Sequence, residues 1–431
     1  MGFYKKTIHD IDLNDKKVLL RADYNVPLKN GKVQSDYRII KSLPTVQFLL
    51  DRGAKVIICS HLGRPDGKAK KEYSLKPVAE RLGELLESEV IFSEDCIGSD
   101  AKEKAESLQP GQILVLENLR FQSEEETNDD NFAKRLASLA EVFVQDGFGV
   151  VHRAHASTDA ITRHLPSVAG LLLESEVDTL TTVMENPQRP LMAIVGGAKI
   201  SDKIMVLKKF IEIADFVVVG GAMANTFLLA KGIETGKSLA DPDDVPLAKE
   251  IIEMAHEKTQ RQQFAFYLPQ DGVVATDIEN PKSTRIVDWD TNAIADIESY
   301  PKQPKRETQL VKADEKILDI GPFSASFVAG GVQLAQTVVW NGTLGVAETE
   351  GHSNDPIGPF AHGTDIVIEA LVGHFGHRPF TIVGGGDTAG YVEERGLTKA
   401  FNHVSTGGGA SLELMEGKKL PGVEALLDKD G

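Results

Sequence analysis

The stretch AIVGGAKISDKIMVLKKFIEIADFVVVGG, residues 193–221, combines two apolar runs, two glycine turns and an intervening amphipathic segment. The runs Ala193–Val195 and Phe216–Val219 are continuously hydrophobic, which is typical of parallel strands buried on both faces of a sheet. Between them, apolar residues from Asp202 to Ile213 recur at helical spacing. A strand, a helix and a strand in this order predict a right-handed βαβ unit.

Apolar runs of the same kind recur along the whole chain, and helix-like segments such as Leu75–Glu87 separate them. The further runs lie at residues 18–20, 56–58, 113–116, 142–144, 264–267, 337–340 and 380–383. This alternation predicts the α/β fold class, with two doubly wound, Rossmann-like parallel sheets.

Residues 169–186 are predicted to form a helix that joins two lobes. Their leucines and valines have helical spacing, and Pro187 and Pro190 then break the pattern. We therefore expect an N-terminal lobe at 1–168, a C-terminal lobe at 187–405 and a hinge helix between them. An ordinary surface helix within one domain is the alternative interpretation.

The charge balance limits the classes of partner. The chain has 47 Lys and Arg against 64 Asp and Glu, which gives a net charge of −17. Such an acidic chain predicts no nucleic-acid binding and no membrane-surface binding. Cys59 and Cys96 cannot build a disulfide framework, the N-terminus does not resemble a signal peptide, and Phe216–Ala230 is too short to cross a bilayer. We predict a soluble, cytoplasmic protein.

Basic side chains are concentrated in the first 155 residues, and several of them directly follow predicted strands. They are Arg21, Arg38, His61, Arg64, Arg120, His152, Arg153 and His155. Because the carboxyl ends of parallel strands meet at one edge of a sheet, we expect these side chains to converge. Guanidinium groups bind carboxylate and phosphate oxygens bidentately, so the pattern predicts a small ligand with several anionic groups. Asp23 and Asn25 would orient hydroxyls or align an arginine.

The strands of the second half end in glycines instead. The turns are Gly196–Lys203, Gly384–Thr388 and Ser405–Ser411. Glycines let backbone N–H groups approach phosphate oxygens at a helix N-terminus, so three such turns predict a phosphate or nucleotide site. Lys199 and Lys203 are four residues apart and are predicted to share one helix face. Asp387 would hold a nucleotide-bound Mg²⁺.

Other classes stay open on the motifs alone. A Walker P-loop is excluded, because Lys231 stands where the glycine five positions before Gly236 should be. Gly384, Gly386 and Ala389 fit the dinucleotide pattern G-x-G-x-x-A, so an NAD(P)-dependent dehydrogenase is one alternative, although no ribose-binding acid follows at the next strand. A non-catalytic binding or scaffold protein is the other alternative.

Four histidines of the second half lie close together in the sequence, at His352, His362, His374 and His377. A metal site is one interpretation of this group. The group has no supporting cysteine, and His374 and His377 lie in a glycine-containing predicted loop. Loop histidines without a metal are therefore the favoured interpretation.

Eight short motifs occur together and in a fixed order. They are RADYNVPL (21–28), SHLGRP (60–65), ENLRF (117–121), HRAHAS (152–157), GGAKISDK (196–203), VWNG (339–342), GGGDT (384–388) and STGGGASLE (405–413). With these motifs the chain resembles the phosphoglycerate kinases along nearly its full length. The resemblance implies a two-lobed enzyme, expected to be a monomer, that reversibly transfers a phosphoryl group between 1,3-bisphosphoglycerate and ADP with Mg²⁺. It also implies that residues 406–431 return to the N-terminal lobe.

The resemblance further implies roles for individual residues. Phosphoglycerate binding is implied for Asp23, Asn25, Arg38, His61, Arg64, Arg120 and Arg153. Nucleotide binding is implied for Gly197, Lys199, Lys203, Gly221, Asn341, Glu348, Gly384, Gly385, Gly386, Asp387 and Thr388, with Glu348 at the ribose and Asp387 at the metal. The transferring group would be contacted by Arg38, Lys199 and the backbone of Gly385 and Gly408.

The chain departs from the family pattern near the expected nucleotide site. Thr343 stands where proline is usual, Ala347 where phenylalanine is usual, and Ile317 where glycine is common. The polar stretch 289–316 is predicted to be an exposed excursion, and 350–364 resembles an added loop. These departures concern the shape of the base pocket and the choice between ADP and GDP.

Overall fold

The chain forms two compact units in a computed structural model that describes residues 2–279, 281, 283–289, 310–351, 355 and 357–429. The first unit comprises Met1–Thr182 and Thr406–Gly431, and the second comprises Val183–Ser405. Most of the predicted excursion 289–316 lies outside the described residues. The same is true of His352 and of three further positions, 353, 354 and 356, in the predicted loop 350–364.

The first unit is built on a parallel sheet with the strand order β5-β6-β4-β1-β7-β8. Its strands are β1 (Lys17–Arg21), β4 (Lys55–Cys59), β5 (Val90–Phe92), β6 (Ile113–Val115), β7 (Val142–Gln145) and β8 (Ser167–Ala169), and β2 (Leu28–Lys29) and β3 (Lys32–Val33) pair separately as a hairpin. Val18 and Leu20 pack in one hydrophobic cluster while Leu19 packs in another. The sheet is therefore covered on both faces, which explains the continuous apolar runs.

The helices of the first unit connect these strands. They are α1 (Tyr37–Leu50), α2 (Lys76–Leu86), α3 (Ser99–Ser107), α4 (Ser123–Glu126), α5 (Asp130–Ala137) and α6 (Leu171–Glu185), of which α6 continues into the second unit after Thr182. The buried Asp146 carboxylate accepts hydrogen bonds from the Leu172 and Leu173 amides at 2.9 and 3.2 Å. The end of β7 thus fixes the start of α6.

The second unit has a parallel sheet in the order β11-β10-β9-β15-β16-β17, with helices between its strands. Its strands are β9 (Leu191–Val195), β10 (Phe216–Val219), β11 (Ala265–Tyr267), β15 (Thr337–Asn341), β16 (Phe380–Gly384) and β17 (His403–Val404). Its helices are α7 (Ile204–Ile213), α8 (Met223–Ala230), α9 (Val245–Arg261), α10 (Pro322–Val332), α11 (His362–Leu371) and α12 (Gly386–Glu394). The strand order reverses between β9 and β15, and ligands of such sheets bind at the carboxyl end of that point.

The second unit also contains an antiparallel sheet that the sequence analysis did not predict. It consists of β12 (Asp271–Ala275), β13 (Arg285–Asp288) and β14 (Lys316–Ile320), in the order β13-β12-β14. Two short edge strands of the first sheet, β5 and β8, were missed as well. The predicted α/β class with two doubly wound parallel sheets is confirmed.

The C-terminal segment belongs to the first unit. It contains α13 (Gly408–Met415) and α14 (Pro421–Glu424). Glu176 of α6 accepts hydrogen bonds from the amide and hydroxyl of Thr406 at 2.6 and 2.8 Å. The Gly422 amide donates to the Val151 carbonyl at 2.9 Å, so the segment is held just before α13 and at α14.

A search of the described residues for membrane spans finds no helix with the length and apolar character needed to cross a bilayer.

Candidate functional site

The first unit contains a cavity of about 320 Å³ beyond the carboxyl ends of its strands. All seven residues assigned to phosphoglycerate line it: Asp23, Asn25, Arg38, His61, Arg64, Arg120 and Arg153. Gly63, Gly149, Val150, His152, Gly408 and Gly409 complete the lining. The sheet therefore brings together side chains that are as much as 130 positions apart in the sequence, counted from Asp23 to Arg153 (153 − 23 = 130).

Arg38 is held by the residues that follow β1. Its Nη1 lies 2.9 Å from Asp23 Oδ2 and donates to the Asn25 carbonyl at 3.1 Å. The Asn25 side-chain oxygen accepts from the Gly63 amide at 2.9 Å, which ties the β1 and β4 loops together. Asp23 therefore pairs with an arginine, which is one of the two roles that the sequence left open for it.

Arg120 and Arg153 are fixed in different ways. Arg120 donates from Nη1 to the Gly63 carbonyl at 2.8 Å, and its Nε lies 3.1 Å from Glu126 Oε1. Arg153 donates from Nε to Nε2 of His152 at 3.2 Å. Burial, with the Arg153 charge, lowers the pKa of His152, so at neutral pH this ring is neutral and accepts the hydrogen bond.

His61 is neutral for the same kind of reason. Burial and the charges of Arg21 and Arg120 hold its pKa well below the usual value. Nη2 of Arg21 lies 3.4 Å from Nδ1 of His61, and because the guanidinium is the donor, the ring proton is on Nε2. Arg21 itself is 1% exposed and is not among the lining residues. It was predicted to belong to the basic cluster, and in the structure it contacts His61 without lining the cavity.

The cavity has a local excess of positive charge in an acidic protein. Arg38, Arg64, Arg120 and Arg153 oppose only Asp23 among the charged lining residues, since His61 and His152 are neutral. This balance suits a small ligand with more than one anionic group.

Close packing of glycines shapes the rim of this cavity. A Cβ at Gly149 would lie 2.1 Å from Asp23 Oδ2, and a Cβ at Gly407 would lie 2.4 Å from the Phe148 ring. Side chains at these positions would displace Asp23 or push away the start of α13. The glycines thus allow Gly408, the first residue of α13, to line the cavity.

The second unit contains a cavity of about 420 Å³ at the point where its strand order reverses. Five of the residues assigned to the nucleotide line it: Gly197, Lys203, Gly221, Glu348 and Asp387. The others, Lys199, Asn341, Gly384, Gly385, Gly386 and Thr388, are not among the lining residues.

Lys203 is the buried cation of this cavity. Its Nζ donates to the Asn341 side-chain oxygen at 2.6 Å, to the Asn341 carbonyl at 3.2 Å, and to the Gly196 carbonyl. Burial lowers the pKa of Lys203 to about 8, although the nearby Asp387 charge opposes the shift. Asn341 therefore acts on the cavity by positioning Lys203.

The prediction that Lys199 and Lys203 share a helix face is wrong. Helix α7 begins at Ile204, so Lys203 only precedes it and Lys199 lies in the turn before. The Lys199 Nζ lies 3.5 Å from Asp241 Oδ2, and its side chain is 53% exposed. Such an exposed ion pair contributes little free energy, which leaves Lys199 able to move to another anion.

The remaining predicted residues support the turns around α12. The buried Thr388 hydroxyl accepts from the Gly342 amide at 2.6 Å, which links α12 to the end of β15. Gly385 directly precedes α12 and has a φ of +89°, a conformation that favours glycine. The first N–H groups of a helix lack intrahelical acceptors, so this turn offers donors to an anion.

The backbones of the two turns that follow β9 and β15 are in close contact. A Cβ at Gly196 would lie 2.0 Å from the Thr343 carbonyl oxygen, and a Cβ at Gly342 would lie 2.3 Å from the Gly196 carbonyl oxygen. These glycines are therefore required by packing in the protein itself. The sequence pattern therefore reflects close packing within the protein as well as the predicted phosphate site.

Asp387 fits a Mg²⁺ ion that is held mainly by a nucleotide. Within the described ranges, no group of three or more His, Cys, Asp or Glu side chains is arranged to hold a metal ion. Asp387 nevertheless lines the cavity beside Lys203, and Mg²⁺ is commonly held by one or two carboxylates together with substrate phosphates. The histidines have other partners: His362 pairs with Asp355, His374 with Glu369, and His377 with the Ala335 carbonyl.

Sequence reasoning missed the apolar part of the second cavity. The unassigned apolar lining includes Leu228, Leu239, Pro269, Trp289 and Val346. These residues come from separate loops and elements, and none of them carries a local motif.

We expect a phosphate-bearing ligand of this cavity, with ADP as the probe, to bind more weakly as the pH rises from 7 to 9. Lys203 is charged below its pKa of about 8, and the charged form attracts phosphate oxygens, so its deprotonation lowers affinity. Asp319 also lines the cavity, and burial raises its pKa to about 8, so its ionisation acts in the same direction. Calorimetric titration with ADP at each pH measures the effect. In K203A the pH dependence should shrink to the contribution of Asp319, and an undiminished dependence would contradict the role of Lys203.

Known proteins of one family are similar to this chain along nearly its full length. The sequence profile of the family "Phosphoglycerate kinase" matches residues 8–418. Phosphoglycerate kinase from Moorella thermoacetica is 47% identical over 425 residues, which is 99% of this chain and 100% of that protein. Phosphoglycerate kinase from Koribacter versatilis is 46% identical over 433 residues, which is 99% of this chain and 100% of that protein.

Solved structures of the same name share the fold. Phosphoglycerate kinase from Coxiella burnetii superposes with a TM-score of 0.78 at 36% identity, and the match covers 98% of each chain. Phosphoglycerate kinase from Pyrococcus horikoshii gives a TM-score of 0.81 at 31% identity, again over 98% of each chain. With a family match over nearly its full length and relatives of this identity, the chain belongs to the phosphoglycerate kinase family.

Proposed function

We propose that this kinase transfers the acyl phosphate of 1,3-bisphosphoglycerate to ADP, reversibly and with Mg²⁺, giving 3-phosphoglycerate and ATP. The observation that carries the proposal is the first-unit cavity, where four arginines and two neutral histidines surround one carboxylate. A ligand with a phosphate at one end and a carboxylate or acyl phosphate at the other suits this arrangement. The second-unit cavity, with Lys203, Asp387 and glycine turns, suits the nucleotide.

We propose direct in-line transfer without a phosphoenzyme. Such a reaction needs positioning and neutralisation of charge on the transferring group, and little covalent chemistry. Arg38 and Lys199 would supply positive charge, and the backbone N–H groups of Gly385 and Gly408 would donate to the transferring oxygens. No general base is required in the ATP-consuming direction, because the acceptor carboxylate of 3-phosphoglycerate is already ionised.

Asp387 would hold the Mg²⁺ ion, which supplies charge neutralisation at the nucleotide phosphates when it is bound. Lys203 would bind the phosphates beside it, and Asn341 would keep Lys203 in place. Asp23 would keep Arg38 aligned until the substrate arrives.

We further propose that α6 is a hinge and that the protein acts as a monomer. The residues proposed for phosphoglycerate and for the nucleotide belong to different units, so we expect transfer to depend on motion of the units about α6. Small-angle scattering should give a monomer mass and a smaller radius of gyration when 3-phosphoglycerate and ATP–Mg²⁺ are both present. An unchanged radius with both ligands bound would contradict hinge closure.

Thermal stabilisation tests the choice of ligands. A ligand that binds only the folded state stabilises it by about 2.7 kcal/mol at a concentration 100 times its Kd. We expect 3-phosphoglycerate and ADP–Mg²⁺ each to raise the melting temperature, and NAD to have no effect. Stabilisation by NAD and not by ADP–Mg²⁺ would instead support the dehydrogenase alternative.

A further inference from the structure

The second-unit cavity has an apolar part as well as a charged part. Leu228 of α8, Trp289 after β13 and Ile317 of β14 all line it and belong to one hydrophobic cluster. Lys203 and Asp387 carry its charges at the glycine turns. A nucleotide has a similar division, because its phosphates are charged and its base is a flat aromatic ring with two apolar faces.

Trp289 is fixed by one hydrogen bond and one close contact. Its indole Nε1 donates to the Pro269 carbonyl at 2.8 Å. A Cβ at Gly272 of β12 would lie 2.6 Å from Cη2 of the indole. The ring can therefore occupy this position only because residue 272 has no side chain. Because the N–H group is already bonded, the indole offers carbon atoms to the cavity.

Two acidic side chains that line the same cavity are also occupied. Asp271 accepts from the amides of Phe323 and Ser324 at 3.0 and 2.8 Å. Asp319 accepts from the amides of Ile320 and Gly363, both at 2.8 Å. A ring that enters this part of the cavity therefore meets apolar and aromatic surface, and the two acidic side chains are already engaged by backbone amides.

We propose that Trp289 contacts the purine base of the bound nucleoside diphosphate and determines part of its affinity. The proposal rests on the proposed function for the identity of the ligand, and it adds a residue that the family resemblance did not assign. Contact between a base and an aromatic ring depends little on which base is present. Trp289 should therefore contribute similarly to ADP and GDP binding.

Intrinsic fluorescence tests this contact directly, because the chain has two tryptophans, Trp289 and Trp340. Trp340 is 1% exposed and is not among the cavity's lining residues. We expect ADP to change the tryptophan emission of the wild type and of W340F, and to leave W289F without the change. W289F keeps an aromatic ring and should fold; an ADP-dependent change that persists in W289F would overturn the proposal.

Affinity measurements supply a second readout. W289A should raise the Kd of both ADP and GDP about 10-fold, with kcat at saturating nucleotide and the Kd of 3-phosphoglycerate unchanged. G272A should raise the nucleotide Kd in the same direction, since the added methyl group displaces the ring. A wild type that binds no ADP would overturn the proposed function. A wild type that binds ADP with the same Kd as W289A would overturn only the role of Trp289.

Discussion

R38A is expected to lower kcat by about 100-fold or more and to leave ADP affinity nearly unchanged. Arg38 lines the first-unit cavity, and the Asp23 carboxylate, 2.9 Å from its Nη1, orients its guanidinium group. A donor that is already oriented stabilises charge in the transition state without reorganisation, so its loss raises the barrier by about 3–4 kcal/mol. Steady-state kinetics with saturating 3-phosphoglycerate and ATP–Mg²⁺ measures kcat.

R81A is the matched control for R38A. Arg81 is an arginine of the same unit that pairs with Asp36 and Glu84 and is not among the lining residues of the cavity. Its kcat should equal that of the wild type. A near-wild-type kcat in R38A, with the fold intact by circular dichroism, would contradict the role of Arg38 in transfer.

E125A is expected to lower the free energy of unfolding by about 3–5 kcal/mol. Glu125 and Arg21 are each 1% exposed, and Ser157 lies between them. The Ser157 hydroxyl accepts from Arg21 Nε at 2.7 Å and donates to Glu125 Oε1 at 2.6 Å. Without Glu125 the buried guanidinium loses its nearby carboxylate. A buried charge that is left uncompensated in this way destabilises the folded state. Urea denaturation followed by circular dichroism measures the change.

Two further variants separate this effect from a general loss of packing. E124A removes the exposed neighbouring carboxylate and should leave the free energy of unfolding unchanged. The double variant R21M/E125L should lose less than the sum of its two single variants, because it removes both charges together. Additive single effects, or a wild-type unfolding free energy in E125A, would contradict the coupling of Arg21 and Glu125.

The main sheets were predictable because burial on both faces leaves continuous apolar runs in the sequence. The strands β1, β9 and β15 are of this kind, and each was predicted. The antiparallel strands β13 and β14 carry charged residues within short segments, so they give no comparable signal. The edge strands β5 and β8 are three residues long, which is too short for a periodic pattern.

The first cavity was predictable because most of its charged side chains follow strands of one parallel sheet, although Arg38 lies in α1. Sequence could not separate Arg21 from Arg38, since burial depends on neighbours such as Glu125 that are distant along the chain. The spacing of Lys199 and Lys203 was misleading because α7 begins only at Ile204. Trp289 had no local motif, and its place in the second cavity depends on contacts with Pro269 and Gly272.

We expect this chain to form ATP from 1,3-bisphosphoglycerate and ADP. The most direct measurement supplies both substrates with Mg²⁺ to the purified chain and detects ATP through a coupled assay, with GDP in a parallel reaction to report base preference. We predict that the wild type forms one ATP for each 1,3-bisphosphoglycerate consumed. In R38A the rate of ATP formation should fall by about 100-fold or more. A folded wild type that binds 3-phosphoglycerate and ADP but forms no nucleoside triphosphate would contradict the account.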